Sequence, residues 1–221
     1  MPNLIATTTA RRARGLLTAF AATAATHLGS LLTDTKAVEQ VTKPALMPLL
    51  ATHAVSLAAP TGAPRLLTPA LLASAAGDTL LQVDDEAAFL AGMGAFAAAH
   101  ICYVTMFAKQ GALTDRRRTA LVAAGYALAW AVMISQLWPG LGELKVPVAG
   151  YSLLLAATAV TSAGLGRRGG IGGALFLLSD TLIATRLAGW RELPGHEFWI
   201  MSTYLLAQYL LATAALKAAQ D

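Results

Sequence analysis

Residues 87–108, AAFLAGMGAFAAAHICYVTMFA, contain no Asp, Glu, Lys or Arg. A helix needs about 20 consecutive apolar residues to cross the hydrocarbon of a bilayer. This stretch has that length, and its ends are marked by charge: Asp84-Asp85-Glu86 before it and Lys109 after it. Working outward, seven more Ala- and Leu-rich segments of the same kind are found, at 15–33, 41–59, 66–82, 119–138, 146–163, 170–188 and 197–216. Breakers separate them: Pro60 to Pro64, Pro139-Gly140, Gly164 to Gly170 and Pro194-Gly195. The pattern predicts an all-α, polytopic membrane protein of about eight transmembrane helices, forming one transmembrane domain over residues 1–221.

Composition leads to the same class. The 221 residues are 56% hydrophobic and only 13% charged, against roughly 25% charged in an ordinary soluble domain. Disorder needs the opposite balance, low hydrophobicity and high charge. Eight spans use roughly 160 residues, which leaves short loops and no soluble domain. Dinucleotide folds, DNA-binding modules and large peripheral domains are thereby disfavoured. The net charge of +4 marks membrane orientation rather than nucleic-acid binding.

Loop charges set that orientation. Arg11, Arg12 and Arg14 precede the first span, Arg65 follows the second, and Lys109 and Arg116 to Arg118 follow the fourth. Arg167 and Arg168 follow the sixth, and Lys217 follows the eighth. The opposite side collects Asp34, Glu39, Asp84, Asp85, Glu86, Glu143, Glu192 and Glu197. Basic loops face the cytoplasm, so both termini are expected there. The N-terminal run has no clear cleavage site after its arginines and is read as a span rather than a signal peptide. Ala, Thr and Arg richness suggests a high-GC genome, hence a bacterial cytoplasmic membrane.

Charges in hydrocarbon are expensive, by about 3 kcal/mol on insertion scales, and mark functional positions. Two stand out: Asp78 in Gly77-Asp78-Thr79-Leu80 and Asp180 in Ser179-Asp180-Thr181-Leu182. Both spans run outward, and both aspartates lie at similar depth at about 1.5 Å per residue. The expectation is one cavity faced by both. A low dielectric and a neighbouring carboxylate favour the neutral form of one member of such a pair. One carboxyl then acts as general acid and the other as general base. The same pair suits proton-coupled transport, which is the alternative reading.

Other polar residues sit near the pair. Lys43 opens the second span just before Pro44, where a proline is tolerated in a first helical turn. It either snorkels or holds an anion. His100 and Tyr103 are three apart, and Tyr204 and Gln208 four apart, so each couple shares a helix face. Ser74 and Gln82 flank Asp78. Gly92, Gly94, Ala98 and Gly169 with Gly173 read as packing seams. Tyr126, Tyr151 and Tyr209 read as packing or interfacial residues, and Cys102 as a small core residue. His27, His53 and His100 lack metal-ligand spacing and there is no second cysteine, so neither metal nor cofactor is expected. No GxSxG elbow or P-loop occurs.

Taken together these pieces resemble the lysoplasmalogenase (YhhN-like) family of integral membrane hydrolases. The resemblance is carried by Lys43-Pro44 with Met47-Pro48, Gly77-Asp78, Phe89 to Phe96 with His100 and Tyr103, Ser179-Asp180, and Thr203-Tyr204 with Ala207-Gln208. Leu205 departs from it, at a position where a second aromatic is expected. The resemblance implies cleavage of the vinyl ether of a lysoplasmalogen, a lysophospholipid of the bilayer. The products are a fatty aldehyde and glycerophospho-ethanolamine or -choline. It also implies Asp78 and Asp180 as the catalytic carboxyls. Lys43, His100, Tyr103, Ser179, Tyr204 and Gln208 are the candidates for substrate binding or support.

Overall fold

A computed structural model describes residues 2–58 and 62–220, with side chains from residue 9 onward. Ala59, Pro60 and Thr61, at the end of the second apolar segment and the start of its breaker, lie outside the described residues. Eight α-helices and no strands occur among the described residues: α1 (Pro2–Thr33), α2 (Lys36–Leu57), α3 (Leu67–Leu80), α4 (Glu86–Lys109), α5 (Arg116–Leu137), α6 (Lys145–Gly164), α7 (Arg167–Leu187) and α8 (His196–Ala218). Two short 3-10 turns, Trp138–Gly140 and Gly142–Leu144, join α5 to α6. The chain is thus an all-helical polytopic membrane protein.

Each of the eight apolar segments falls on one helix, and six helices have both the length and the hydropathy to cross a membrane. The two that fall short are α2 and α3. Helix α3 has 14 residues, about 21 Å at 1.5 Å per residue, against a hydrocarbon core of about 30 Å. Helix α2 is diluted by Lys36, Glu39, Lys43 and His53 along its 22 residues. Helix α5 shows the opposite character: Leu121 and Leu128 are 67% and 68% exposed. Such apolar exposure on a long helix fits lipid as the neighbour.

Two expectations about helix ends are corrected. Arg11, Arg12 and Arg14 lie within α1 rather than in a loop before it, since Ala and Arg are good helix formers. Pro44 is not in a first turn. Helix α2 starts at Lys36, so Pro44 and Pro48 both lie in its interior, where each removes an i to i−4 hydrogen bond. Elsewhere the ends follow their local chemistry. The Asp85 carboxylate accepts the Ala88 N–H at 2.8 Å to start α4, and Asp115 accepts the Arg118 N–H at 3.0 Å to start α5.

The chain forms two compact units, with the boundaries at Cys102/Tyr103 within α4 and Ala214/Ala215 within α8. In the first unit α1 packs along α2, and α2 on α3. Its core includes Leu46, Met47, Leu50, Leu67 and Leu71, all nearly fully buried. Two histidines tie α1 to α2. His27 Nδ1 is 2.8 Å from the Thr42 hydroxyl, and His53 Nδ1 donates to the Ala13 carbonyl at 2.8 Å. In the second unit α6 packs on both α5 and α7, around Phe107, Leu155, Phe176 and Leu211.

Helices α6 and α7 form an antiparallel hairpin about Gly166, whose φ of 92° suits only glycine without strain. Glycines set how closely the two approach. A Cβ at Gly169 would lie 2.1 Å from the Ser162 carbonyl, and one at Gly173 would lie 2.7 Å from the Ala159 Cα. This seam was expected. Gly94 and Ala98 behave differently from the expectation: nothing lies within 4 Å of a Cβ at Gly94, and Ala98 is exposed.

Candidate functional site

The hairpin seam positions Asp180. Counting outward from the turn, Ser162 meets Gly169, Ala159 meets Gly173, and two to three helical turns further Tyr151 meets Asp180. The Tyr151 hydroxyl donates a hydrogen bond to Asp180 Oδ2. Both side chains are half-buried and line a partly open cavity of about 110 Å³ between α5, α6 and α7. Met133, Ile134, Val148, Leu155 and Leu177 make most of its wall apolar. Trp130 Nε1 donates to the Ser152 hydroxyl at 2.8 Å on the same wall. A carboxyl held at the edge of an apolar cavity is a common arrangement for acid–base chemistry.

Tyr151 corrects the sequence reading, which placed it among packing or interfacial tyrosines. A signal for it existed. In a helical hairpin of known turn position, residues equidistant from the turn face each other, and Tyr151 and Asp180 are both 14 to 15 residues from the Leu165–Gly166 turn. Reading it required knowing that α6 and α7 pair along their full length.

Four other candidates sit in the same unit. The Ser179 hydroxyl donates to the Ile200 carbonyl at 3.0 Å, linking α7 to α8 beside Asp180. Tyr103 is fully buried, stacks on Phe107 at 5.5 Å and donates to Gln208 Oε1 at 2.6 Å. Gln208 is fully buried as well. Tyr204 packs edge-on against Phe176 at 5.5 Å. The Tyr103–Gln208 hydrogen bond couples two residues that the sequence placed on separate helix faces. Ser179, Tyr103 and Gln208 thus each make an interhelical bond.

Asp78 belongs to the first unit. It is 3% exposed on α3, one turn beyond the fully buried Ser74. The helix is held against α4 by a close approach at the residue before it. A Cβ on Gly77 would lie 2.5 Å from the Phe96 ring, and one on Gly92 3.0 Å from Leu81. The small residues of Gly77-Asp78 and of the Phe89–Phe96 stretch therefore have a steric cause. His100, on α4, is fully buried too. Lys43 is half-buried in the interior of α2. Among the described residues, no three His, Cys, Asp or Glu side chains gather in one metal-holding group.

The Gly77 contact makes a prediction. Gly77→Ala must displace a buried ring, a cost of about 1–3 kcal/mol, and it does so next to Asp78. We expect a lower unfolding temperature in detergent and at least a tenfold loss of activity. Gly94→Ala, with open space around it, is expected to leave both unchanged. Equal behaviour of the two variants would remove the Phe96 contact as the reason for Gly77.

Polar contacts close α7 on α8. Arg186 pairs with Glu197, and its Nε lies 3.6 Å from Glu192. His196 Nδ1 accepts the Leu193 N–H at 3.3 Å, while Nε2 donates to the Leu182 carbonyl at 3.0 Å. These contacts pin the C-terminal end of α7, about a turn and a half beyond Asp180.

The model of the YhhN family matches residues 38–215. Human lysoplasmalogenase TMEM86B is 35% identical over 156 residues, which cover 71% of this chain and 66% of its own. A lysoplasmalogenase of Mycobacterium tuberculosis is 38% identical over 141 residues, covering 61% of this chain and 52% of its own. The rat TMEM86B relative is 34% identical over 156 residues, covering 69% and 62%. The matched part of this chain therefore spans only about half to two-thirds of the length of these relatives. No solved structure matches it. With 38–215 of its 221 residues matched, the chain belongs to the YhhN family.

Proposed function

We propose that this protein hydrolyses the vinyl ether of lysoplasmalogens, releasing a fatty aldehyde and glycerophospho-ethanolamine or -choline. The observation that carries the reading is the set of relatives named lysoplasmalogenase at 34–38% identity. The Asp180 carboxyl in the wall of an apolar cavity supports it chemically. In this reading Asp78 and Asp180 supply the general acid and the general base.

The steps follow from the bond. The acid gives its proton to C2′ of the enol ether as the double-bond pair moves to form the new C–H bond. This leaves an oxocarbenium ion at C1′. A nearby carboxylate stabilises that cation. Water attacks C1′ as the base takes its proton, giving a hemiacetal. The hemiacetal then loses its hydroxyl proton, the C1′–O bond to glycerol breaks, and the glycerol oxygen takes up a proton. One water is consumed, and a carboxylic acid with a carboxylate is enough for every transfer. Lys43 is proposed to hold the head-group phosphate. His100, Tyr103, Ser179, Tyr204 and Gln208 are proposed to support the carboxyls through helix placement. The protein is proposed to lie in a bacterial cytoplasmic membrane with both termini inside. Maleimide labelling of a single cysteine at position 117, in a cysteine-free background, is expected from the cytoplasmic face only. Labelling from outside would reverse the orientation.

The test is aldehyde release from choline and ethanolamine lysoplasmalogens by purified protein in detergent, with and without EDTA. Release that EDTA leaves unchanged is the expected result. Inertness on both substrates, with proton-driven uptake by sealed vesicles instead, would replace the hydrolase by a transporter.

A further inference from the structure

We propose that the partly open cavity lined by α5, α6 and α7 binds the first carbons of the substrate's alkenyl chain, so that the enol-ether carbon lies against Asp180. This deepens the hydrolase reading and rests on it. Four observations point the same way. The wall is apolar over Met133, Val148, Leu155 and Leu177, so a charged head group placed there would be desolvated without compensation. Four of the polar groups on that wall are engaged in pairs, Tyr151 with Asp180 and Trp130 with Ser152. The rest of the lining is mostly apolar. The volume of about 110 Å³ is somewhat below the roughly 150 Å³ of a dry apolar cavity that holds benzene. It therefore takes about four or five chain carbons and leaves the rest of a long chain outside. Finally, the carboxyl and the cavity share α7: Leu177, Asp180, Thr181 and Ala184 all line the volume, three or four residues apart on one helix face. A chain seated in the cavity would bring the atoms at its polar end to Asp180.

Tyr151 is a positioning residue in this arrangement. Its hydroxyl holds one carboxylate oxygen of Asp180, which fixes the carboxyl against the cavity edge. It need not touch the substrate.

The experiment uses the purified full-length chain and two probes. Both are non-hydrolysable 1-O-alkyl lysophosphatidylethanolamines, one with a diazirine at the fourth chain carbon and one with it at the twelfth. The fourth-carbon probe is expected to label α5–α7 peptides at Met133 or Leu177, and the twelfth-carbon probe to label elsewhere. Ala129→Trp, at the open side of the cavity, is expected to occupy it, to abolish that adduct and to raise KM for aldehyde release at least tenfold. Leu177→Trp serves the same purpose should that variant fail to fold. Tyr151→Phe is expected to keep the adduct and KM while kcat falls at least tenfold and the pH profile of kcat shifts. Fourth-carbon adducts outside the cavity, in a protein that releases aldehyde, would overturn the chain site and leave the hydrolase standing. Equal labelling of the cavity by both probes would also overturn it, since the cavity would then hold lipid without orientation. Cavity adducts in a protein inert on every lysoplasmalogen would keep an alkyl-ether site and overturn the hydrolase.

Discussion

Asp180→Asn is expected to lower aldehyde release by about a thousandfold while the protein stays folded, and Asp78→Asn to do the same. General acid or base catalysis contributes about 10²- to 10⁴-fold, and asparagine can neither give nor take the proton. The geometry survives the change. With asparagine at position 180, the amide oxygen can still accept from the Tyr151 hydroxyl that now donates to Asp180 Oδ2. Asp78 is 3% exposed, and a neutral amide is cheaper to bury than an ionised carboxylate. Loss of activity with an unchanged unfolding temperature and gel-filtration profile therefore reports on chemistry. Asp→Glu at either position keeps the carboxyl but moves it by one methylene. A displacement of about 1 Å can cost 10²-fold, so partial activity is expected there. If either asparagine variant retains more than a tenth of the wild-type rate, that carboxyl leaves the mechanism.

The second large effect is expected from Gly173→Ala, seven residues before Asp180 on the same helix. The new Cβ would lie 2.3 Å from the Ser162 hydroxyl oxygen and 2.7 Å from the Ala159 Cα. The serine can rotate away, but the α6 backbone cannot, so α6 and α7 must separate or slide. Overpacking of this kind costs about 1–3 kcal/mol, and contact with backbone places it toward the upper end. Alanine recovers up to about 1 kcal/mol through its better helix propensity. The net is a loss of about 1–2 kcal/mol and a disturbed Tyr151–Asp180 pairing, for which we expect a 10- to 100-fold fall in kcat. Gly170→Ala is the control, because its Cβ would meet only Ala163 at 3.6 Å, an ordinary contact. Rates and thermal unfolding in detergent measured on the pair decide the matter. Equal, small effects would show that the seam does not govern the site.

Much of this architecture was readable from residue order, for a physical reason. Lipid requires each spanning segment to satisfy its own backbone hydrogen bonds and to be apolar along its length. Segment 87–108 and the five other long spans thus declare themselves locally, and a carboxyl among them stands out. The glycines of the α6–α7 seam were legible on similar grounds, since helices in lipid pack through small residues. Less legible were features set by partners. Pro44 read as a helix start because prolines favour first turns, yet the good helix formers before it extend α2 back to Lys36. Gly94 read as a seam from its composition, although it faces open space. His27 and His53 carried no readable role until their bonds to Thr42 and Ala13 appeared across α1 and α2.

The sequence alone determined the class, the helices and the family and singled out the two aspartates as candidates, because each depends on what a residue is and where it lies along one helix. Only the tertiary structure decided what touches Asp180. Tyr151 was one tyrosine among several until the close approach of α6 and α7 at Gly169 and Gly173 set their pairing. The cavity beside it belongs to three helices at once. Periodicity along a chain specifies which face of a helix is small or apolar, but not which residue of another helix that face will meet.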